Sequence, residues 1–290
     1  MFRSLLIASV ALFATVAQAQ PPGADMVIIT GVTVVHPERT GADVLEPDAT
    51  IMIHGNRIES VLQHVTLELP QGAKVIDGRG KWVIPGLVDG HVHFFQSGNI
   101  YTRPDAADFN AIVPYAQEVA RNKARLDATF KVWLASGVTG VVDIGGPFWN
   151  FDMRDRAVVT AAAPRVAVAG PLISMVADPP LDLDDPPIIR IDTVDAGLAL
   201  VKRELARNPD YIKVWFIYQP GDDVAAHEAI VKAAGDAAHA AGKKLAVHAT
   251  ELIVAKAALR AGADYLVHSV FDEPVDAEFI ELMRHNKALY

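Results

Sequence analysis

From Met26 to Lys81 apolar residues recur in short, β-branched, alternating runs, MVIITGVTVV, ATIMIHGNRIESVLQ and AKVIDGRGKWVIPG, punctuated by Gly31, Gly55, Gly72, Gly78 and Gly80. Alternation of this kind marks half-buried strands joined by tight turns. It predicts a small N-terminal β module, sandwich-like and built of antiparallel strands, over residues 20–81. Gly55-Asn56, between two apolar stretches, is the expected hairpin turn. After Pro85 the rhythm changes to apolar runs separated by longer amphipathic stretches, the pattern of parallel strands connected by crossover helices. Six strands are expected: VIPGLVDGHVHF, GVTGVVDIGG, PRVAVAG, YIKVWF, KLAVHAT and DYLVHSV. Helices are expected over 112–137, 194–210, 224–242, 251–263 and 274–286, three of them closing on or near Gly137, Gly242 and Gly262 as stop signals. The fold class is α/β.

The first twenty residues stand apart. Arg3 precedes a short apolar run that ends in Ala17-Gln18-Ala19, the small-x-small pattern that a signal peptidase accepts. The run is well short of the roughly 20 residues that span a bilayer. Residues 1–19 are therefore expected to be a cleaved export signal, leaving a periplasmic or secreted protein with no membrane attachment. The 26 Lys and Arg against 35 Asp and Glu give a net charge of −9, which offers no cationic surface for a phosphate backbone and excludes nucleic acid as the expected partner. There is no cysteine, so disulfides, thiolate metal sites and cysteine nucleophiles are excluded together. Any metal must be held by His, carboxylate or modified Lys.

His91 and His93 are two apart and project to the same side of an extended strand. Lys213 lies within the apolar run YIKVWF, where an ammonium is costly to bury. His248 ends KLAVHAT and His268 lies near the end of DYLVHSV. In a β/α barrel, side chains from the carboxyl ends of different strands meet at one mouth, so five metal-compatible residues from four strands point to one place. Asp89 shares the parity of the two histidines, with a role orienting one of them or closing a local turn. Trp215 and Tyr218 can reach the mouth or pack. Asp272 lies in the loop after the sixth strand, and His227 and His239 are expected on the solvated face of an alanine-rich helix. VADPPLDLDDPP, residues 176–187, reads as a stiff acidic surface loop.

The PGLVDGHVH segment, DYIKVWF and KLAVHATELIVAKAALRAGADYLVHSV together resemble the metal-dependent amidohydrolase superfamily, in its imidazolonepropionase-like and prolidase-like dipeptidase branch. The resemblance implies a (β/α)8 TIM barrel over residues 82–290, incomplete here with about six strands. It also implies two divalent metal ions, most often zinc: His91 and His93 on one, carbamylated Lys213 bridging both, and His248 and His268 on the other. A metal-bridging hydroxide would cleave an amide bond of a dipeptide, an N-acyl amino acid or another small substrate. The branch's strand-eight aspartate lies beyond Tyr290, so these 290 residues are expected to be an inactive, aggregation-prone fragment of a longer chain. Two alternatives stand beside this reading: a non-catalytic fragment or ligand-binding paralogue, and a mononuclear deaminase of the same superfamily, against which Lys213 argues. Homo-oligomerisation is left open.

Overall fold

The structure, a computed structural model, describes residues 23–64, 68–102, 107–175 and 183–290. The expected leader, residues 1–19, and residues 176–182 of the acidic loop lie outside the described residues. Contacts divide the chain into two compact units, Met1–Pro85 and Gly86–Tyr290.

In the first unit β1 (Met26–Val35), β2 (Leu45–His54), β3 (Arg57–Gln63), β4 (Lys74–Asp77) and β5 (Trp82–Val83) form one five-stranded sheet of order β3-β2-β1-β4, with β5 also on β1. The β2–β3 hairpin turns at Gly55-Asn56, where Gly55 takes a φ of 59°. One face buries Val32, Val34, Ala49 and Ile51. The antiparallel expectation holds only for β1–β3; β4 and β5 run parallel to β1. Alternation fixes which face a strand buries and says nothing of its direction. Because Trp82 and Val83 pair with β1, the division falls after Pro85.

The second unit alternates strand and helix: β6 (Leu87–Val92), α1 (Tyr115–Ala124), α2 (Leu126–Ala135), β7 (Val138–Asp143), α3 (Trp149–Val159), β8 (Arg165–Val168), β9 (Leu172–Ser174), β10 (Ile188–Arg190), α4 (Val194–Leu205), β11 (Tyr211–Trp215), α5 (Val224–Ala240), β12 (Lys244–His248), α6 (Leu252–Arg260), β13 (Tyr265–Leu266) and α7 (Ala277–Asn286). All strand pairs here are parallel. β6, β7 and β8 make one sheet, and β10, β9, β11, β12 and β13 the other. A bridge between Ala169 and Tyr211 joins them, and a bridge between Tyr265 and Leu289 starts a further position. The wall therefore runs β6-β7-β8-β11-β12-β13, the six expected strands of a β/α barrel, and it does not close on itself among the described residues. Ile144, Ala246 and Val267 pack inside it, and the Tyr265 hydroxyl donates across the interior to the Gly90 carbonyl at 3.3 Å.

Helices cover the outer face in two apolar clusters, one centred on Phe94, Phe130 and Met153, the other on Val214, Val231 and Leu259. The single helix expected over 112–137 is two, broken at Arg125 (φ −98°, ψ 1°). The break turns Leu126 and Phe130 into the core while Asn122 donates to the Phe95 carbonyl at 2.9 Å. Helix α3 was not expected: its buried positions, Trp149, Asn150, Phe151, Met153 and Ala157, mix polar and apolar residues and follow no clean stripe. The described end of the acidic loop caps it, as Asp185 accepts from the Phe148 and Trp149 amides at 2.8 and 3.1 Å. No helix among the described residues is long and apolar enough to cross a membrane.

Candidate active site

β6 delivers His91, and His93 follows directly after its end. His248 is the last residue of β12, and His268 lies two residues past β13. Ring contacts link them in a chain: His91–His93 at 5.0 Å between centroids, His91–His268 at 4.8 Å, His248–His268 at 4.5 Å, and Trp215–His248 at 5.9 Å. Lys213 is on β11, directly beside Ala246 of β12 and one side-chain layer below the Trp215–His248 pair. It is 1% exposed and points inward, since a Cβ on Gly145 would lie 3.3 Å from its Cγ. The four histidines thus meet at the carboxyl ends of β6, β12 and β13, and Lys213 lies one layer below on β11.

The hydrogen bonds orient the two β6 histidines. His93 Nδ1 lies 2.7 Å from the Gly145 carbonyl, and His91 Nδ1 lies 3.4 Å from the Val267 carbonyl. A carbonyl only accepts, so at 2.7 Å His93 Nδ1 is the donor, and the two rings turn their Nε2 atoms toward each other. Those two Nε2 atoms face one another at 3.1 Å. Lone pairs at that distance repel unless a proton or a cation lies between them. Burial pushes His91 down to about 4, helped by the neighbouring His93 and Lys213. Burial and then Lys213 push His248 down to about 3; burial and then His91 push His268 down to about 4. Neutral imidazoles at ordinary pH are ligand-competent. Burial alone holds the Lys213 ammonium well below the usual lysine range, and its Nζ has no hydrogen-bond partner among the described residues.

This donor set fits divalent metal. Two imidazole nitrogens sharing an ion at zinc-like distances of about 2.0–2.1 Å are separated by a little over 3 Å, the spacing of the His91 and His93 pair. Among the described residues, no three His, Asp or Glu side chains close into a ligand group by themselves.

A cavity of about 290 Å³ opens above the histidines, walled by Phe95, Gln96, Leu172, Ile188 and Trp215. Of the residues left open by the sequence, Trp215 lines this cavity, whereas Tyr218 packs against the helix-side core. Asp89 accepts from the His91 amide at 3.1 Å, a local turn contact. Asp272 accepts from the Leu252 amide at 2.9 Å and so serves the start of α6. His239 pairs with Asp264 at 2.8 Å, and His227 is a correction: it lies against Phe216 with a buried Nδ1 rather than on a solvated face. Sequence reasoning missed Asp143, the wholly buried last residue of β7.

The chain is similar to several known proteins. An 89-residue stretch is 34% identical to a dihydroorotase of Anaeromyxobacter dehalogenans (strain 2CP-C), covering 31% of this chain and 19% of that protein. A 150-residue stretch is 27% identical to an imidazolonepropionase of Acidiphilium cryptum (strain JF-5), covering 46% of this chain and 37% of that protein. A solved prolidase complexed with N-methylphosphonate-L-proline is similar with a TM-score of 0.69 at 25% identity, over 91% of this chain and 65% of that one. The chain spans less than two thirds of the length of each. The Amidohydrolase family model matches residues 82–284, a range that holds every strand from β6 to β13 and all five candidate residues, and the chain belongs to the Amidohydrolase family.

Proposed function

We propose that the protein is a metal-dependent hydrolase of amide carbon–nitrogen bonds in small substrates such as dipeptides or N-acyl amino acids. The observation that carries the reading is the pair of Nε2 atoms 3.1 Å apart beside a buried lysine whose Nζ has no hydrogen-bond partner among the described residues. In this reading His91 and His93 hold one ion, His248 and His268 hold a second, and Lys213 bridges them as a carbamate, with zinc the ion best suited to the imidazoles. Lys213 is suited to that modification because burial favours its neutral amine. The Nζ lone pair forms the bond to the carbon of carbon dioxide and one N–H proton leaves to solvent, giving an anion with two donor oxygens. When bound, the ions supply Lewis acidity to the scissile carbonyl and to the attacking water.

The chain's own residues do the rest. Gly145 holds the His93 ring in one tautomer through its carbonyl. Trp215 and Phe95 wall the cavity and exclude bulk water from one side of the substrate. A volume of about 290 Å³ sits near the lower end of small-molecule pockets, in keeping with a dipeptide-sized ligand. The likeness to a prolidase with a proline phosphonate supports that substrate class. The signal-like pattern of the first nineteen residues supports a site of action outside the cytoplasm.

The test is metal analysis of the protein expressed from its complete reading frame, followed by hydrolysis assays on Xaa-Pro dipeptides and N-acyl amino acids before and after chelation. Bound zinc with turnover that chelation removes and added metal restores is the expected result. Protein that takes up no divalent metal at micromolar concentration would sink the reading. Metal and ligand binding without turnover would favour a binding module instead.

A further inference from the structure

Asp143, the last residue of β7, is fully buried. Its Oδ2 accepts from Asn150 Nδ2 at 2.7 Å and from the Phe94 amide at 3.3 Å. Phe94 is the residue after His93, and Gly145, whose carbonyl accepts from His93 Nδ1, lies two residues after Asp143. The two segments that meet in the His93–Gly145 hydrogen bond are therefore tied to one carboxyl group. The Ile144 amide closes the same junction from the other side by donating to the Val92 carbonyl at 3.2 Å. Asn150 is itself wholly buried in the first turn of α3, and Gly146 lies flat against it: a Cβ there would be 2.2 Å from Asn150 Nδ2.

A packing role alone does not call for this chemistry. Among the described residues Asn150 Oδ1 is buried without a hydrogen-bond partner, and an apolar pair of similar shape would avoid that cost. What an apolar pair could not do is hold the Phe94 amide and the Gly145 segment at a fixed separation.

We infer that Asp143 and Asn150 are positioning residues that lock His93 in the Nδ1-protonated tautomer, aiming the Nε2 lone pair at the site. The inference rests on the reading of His93 as a metal ligand. Ligands fixed in this manner by an outer partner commonly lose about 10–100-fold in metal affinity when the partner is removed.

The test uses the full 290-residue chain labelled with ¹⁵N-histidine, metal-free, with His93 assigned through His93→Gln. Long-range ¹H–¹⁵N spectra report the tautomer directly. Wild-type His93 should show a single Nδ1-protonated form. In Asp143→Ala, and to a smaller extent in Asn150→Ala, His93 should become a tautomer mixture while His248 and His268 keep their signals. Asp143→Asn, which keeps an acceptor oxygen in place, should restore the wild-type spectrum. Cobalt(II) affinity, read by visible absorption, should fall about 10–100-fold in Asp143→Ala and stay within about threefold in Asp143→Asn. A residue that serves stability alone would lower the melting temperature without moving the His93 tautomer.

A tautomer mixture in the wild-type protein overturns the inference even if Asp143→Ala does not fold. So does a wild-type His93 spectrum in a folded Asp143→Ala or Asn150→Ala. Failure of the metal reading looks different: the wild-type protein then takes up no cobalt(II), whatever the state of His93.

Discussion

Replacing Lys213 with Met should make the metal-free protein more stable while removing its function. The Lys213 side chain is 1% exposed, its Nζ meets no acceptor among the described residues, and it is among the largest fully buried side chains. Met keeps the length and the apolar stem and deletes only the orphaned amine. An unsatisfied buried polar group costs about 1–3 kcal/mol, so Lys213→Met should gain that amount, or roughly 2–12 °C in melting temperature for a domain of this size. The pH dependence follows from the lowered lysine pKa. The unfolded chain holds its proton up to the ordinary value of 10.5, whereas the fold releases it earlier, so the wild type is penalised below 10.5 and recovers as pH rises toward it. The gain of the Met variant should therefore be largest near pH 7 and shrink by pH 10. Thermal and urea unfolding in chelator and carbon-dioxide-free buffer would measure this, beside metal binding and turnover under loaded conditions. A Lys213→Met protein less stable than wild type would show that the amine has a stabilising partner and would undo the argument for its carbamylation. Full turnover in that variant would do the same.

Three further outcomes are expected. His91, His248 and His268 are held below the ordinary histidine value, so the unfolded state binds more protons below pH 6.5 and the metal-free protein should lose stability as pH falls from there toward 3; equal urea midpoints at pH 7 and pH 4 would contradict it. Asp185→Ala removes the acceptor for two amides at the start of α3 and should cost about 0.5–2 kcal/mol in a thermal melt, whereas Asp184→Ala should cost little. Gly145→Ala should cost about 1–3 kcal/mol or more, because Gly145 sits at φ +136° and its added Cβ would meet Leu172 Cδ1 at 2.7 Å; an Ala variant that melts with the wild type would count against the close fit of this segment under the site.

The central strands β11 and β12 were legible because they are buried on both faces. YIKVW, KLAVH and DYLVH are near-continuous apolar runs, and that continuity is the signature of parallel strands under helices. The helices that were found, α4 to α7, have an apolar stripe or a stop signal at their ends. What was missed lacks such a physical signal. β9 and β10 are three residues each, too short for any period to develop. α3 buries Asn150 beside Phe151, and the break at Arg125 answers to Asn122 reaching the Phe95 carbonyl, a contact between segments 27 residues apart. β4 and β5 looked like the other module strands because direction leaves no mark on alternation.

The candidate residues were legible by a narrower argument that was applied unevenly. Lys213 stood out because an ionisable group inside an apolar strand is expensive and calls for a reason. His91 and His93 stood out by parity, and His248 and His268 by their place at strand ends. Asp143 satisfies both tests: it follows the apolar GVTGVV and sits at the carboxyl end of the second barrel strand. Its followers Ile-Gly-Gly carry a turn signal, and in a turn a carboxylate is at home in water. The structure puts it out of water altogether, with burial pushing its pKa well above the carboxylate range against the pull of the Phe94, Gly145 and Asn150 donors. A turn aspartate would be solvated and replaceable. One that is buried and grips the segment carrying His93 belongs with the site, and the sequence rule that follows is to treat a charged residue at the inner end of any barrel strand as Lys213 was treated, whatever turn chemistry comes after it.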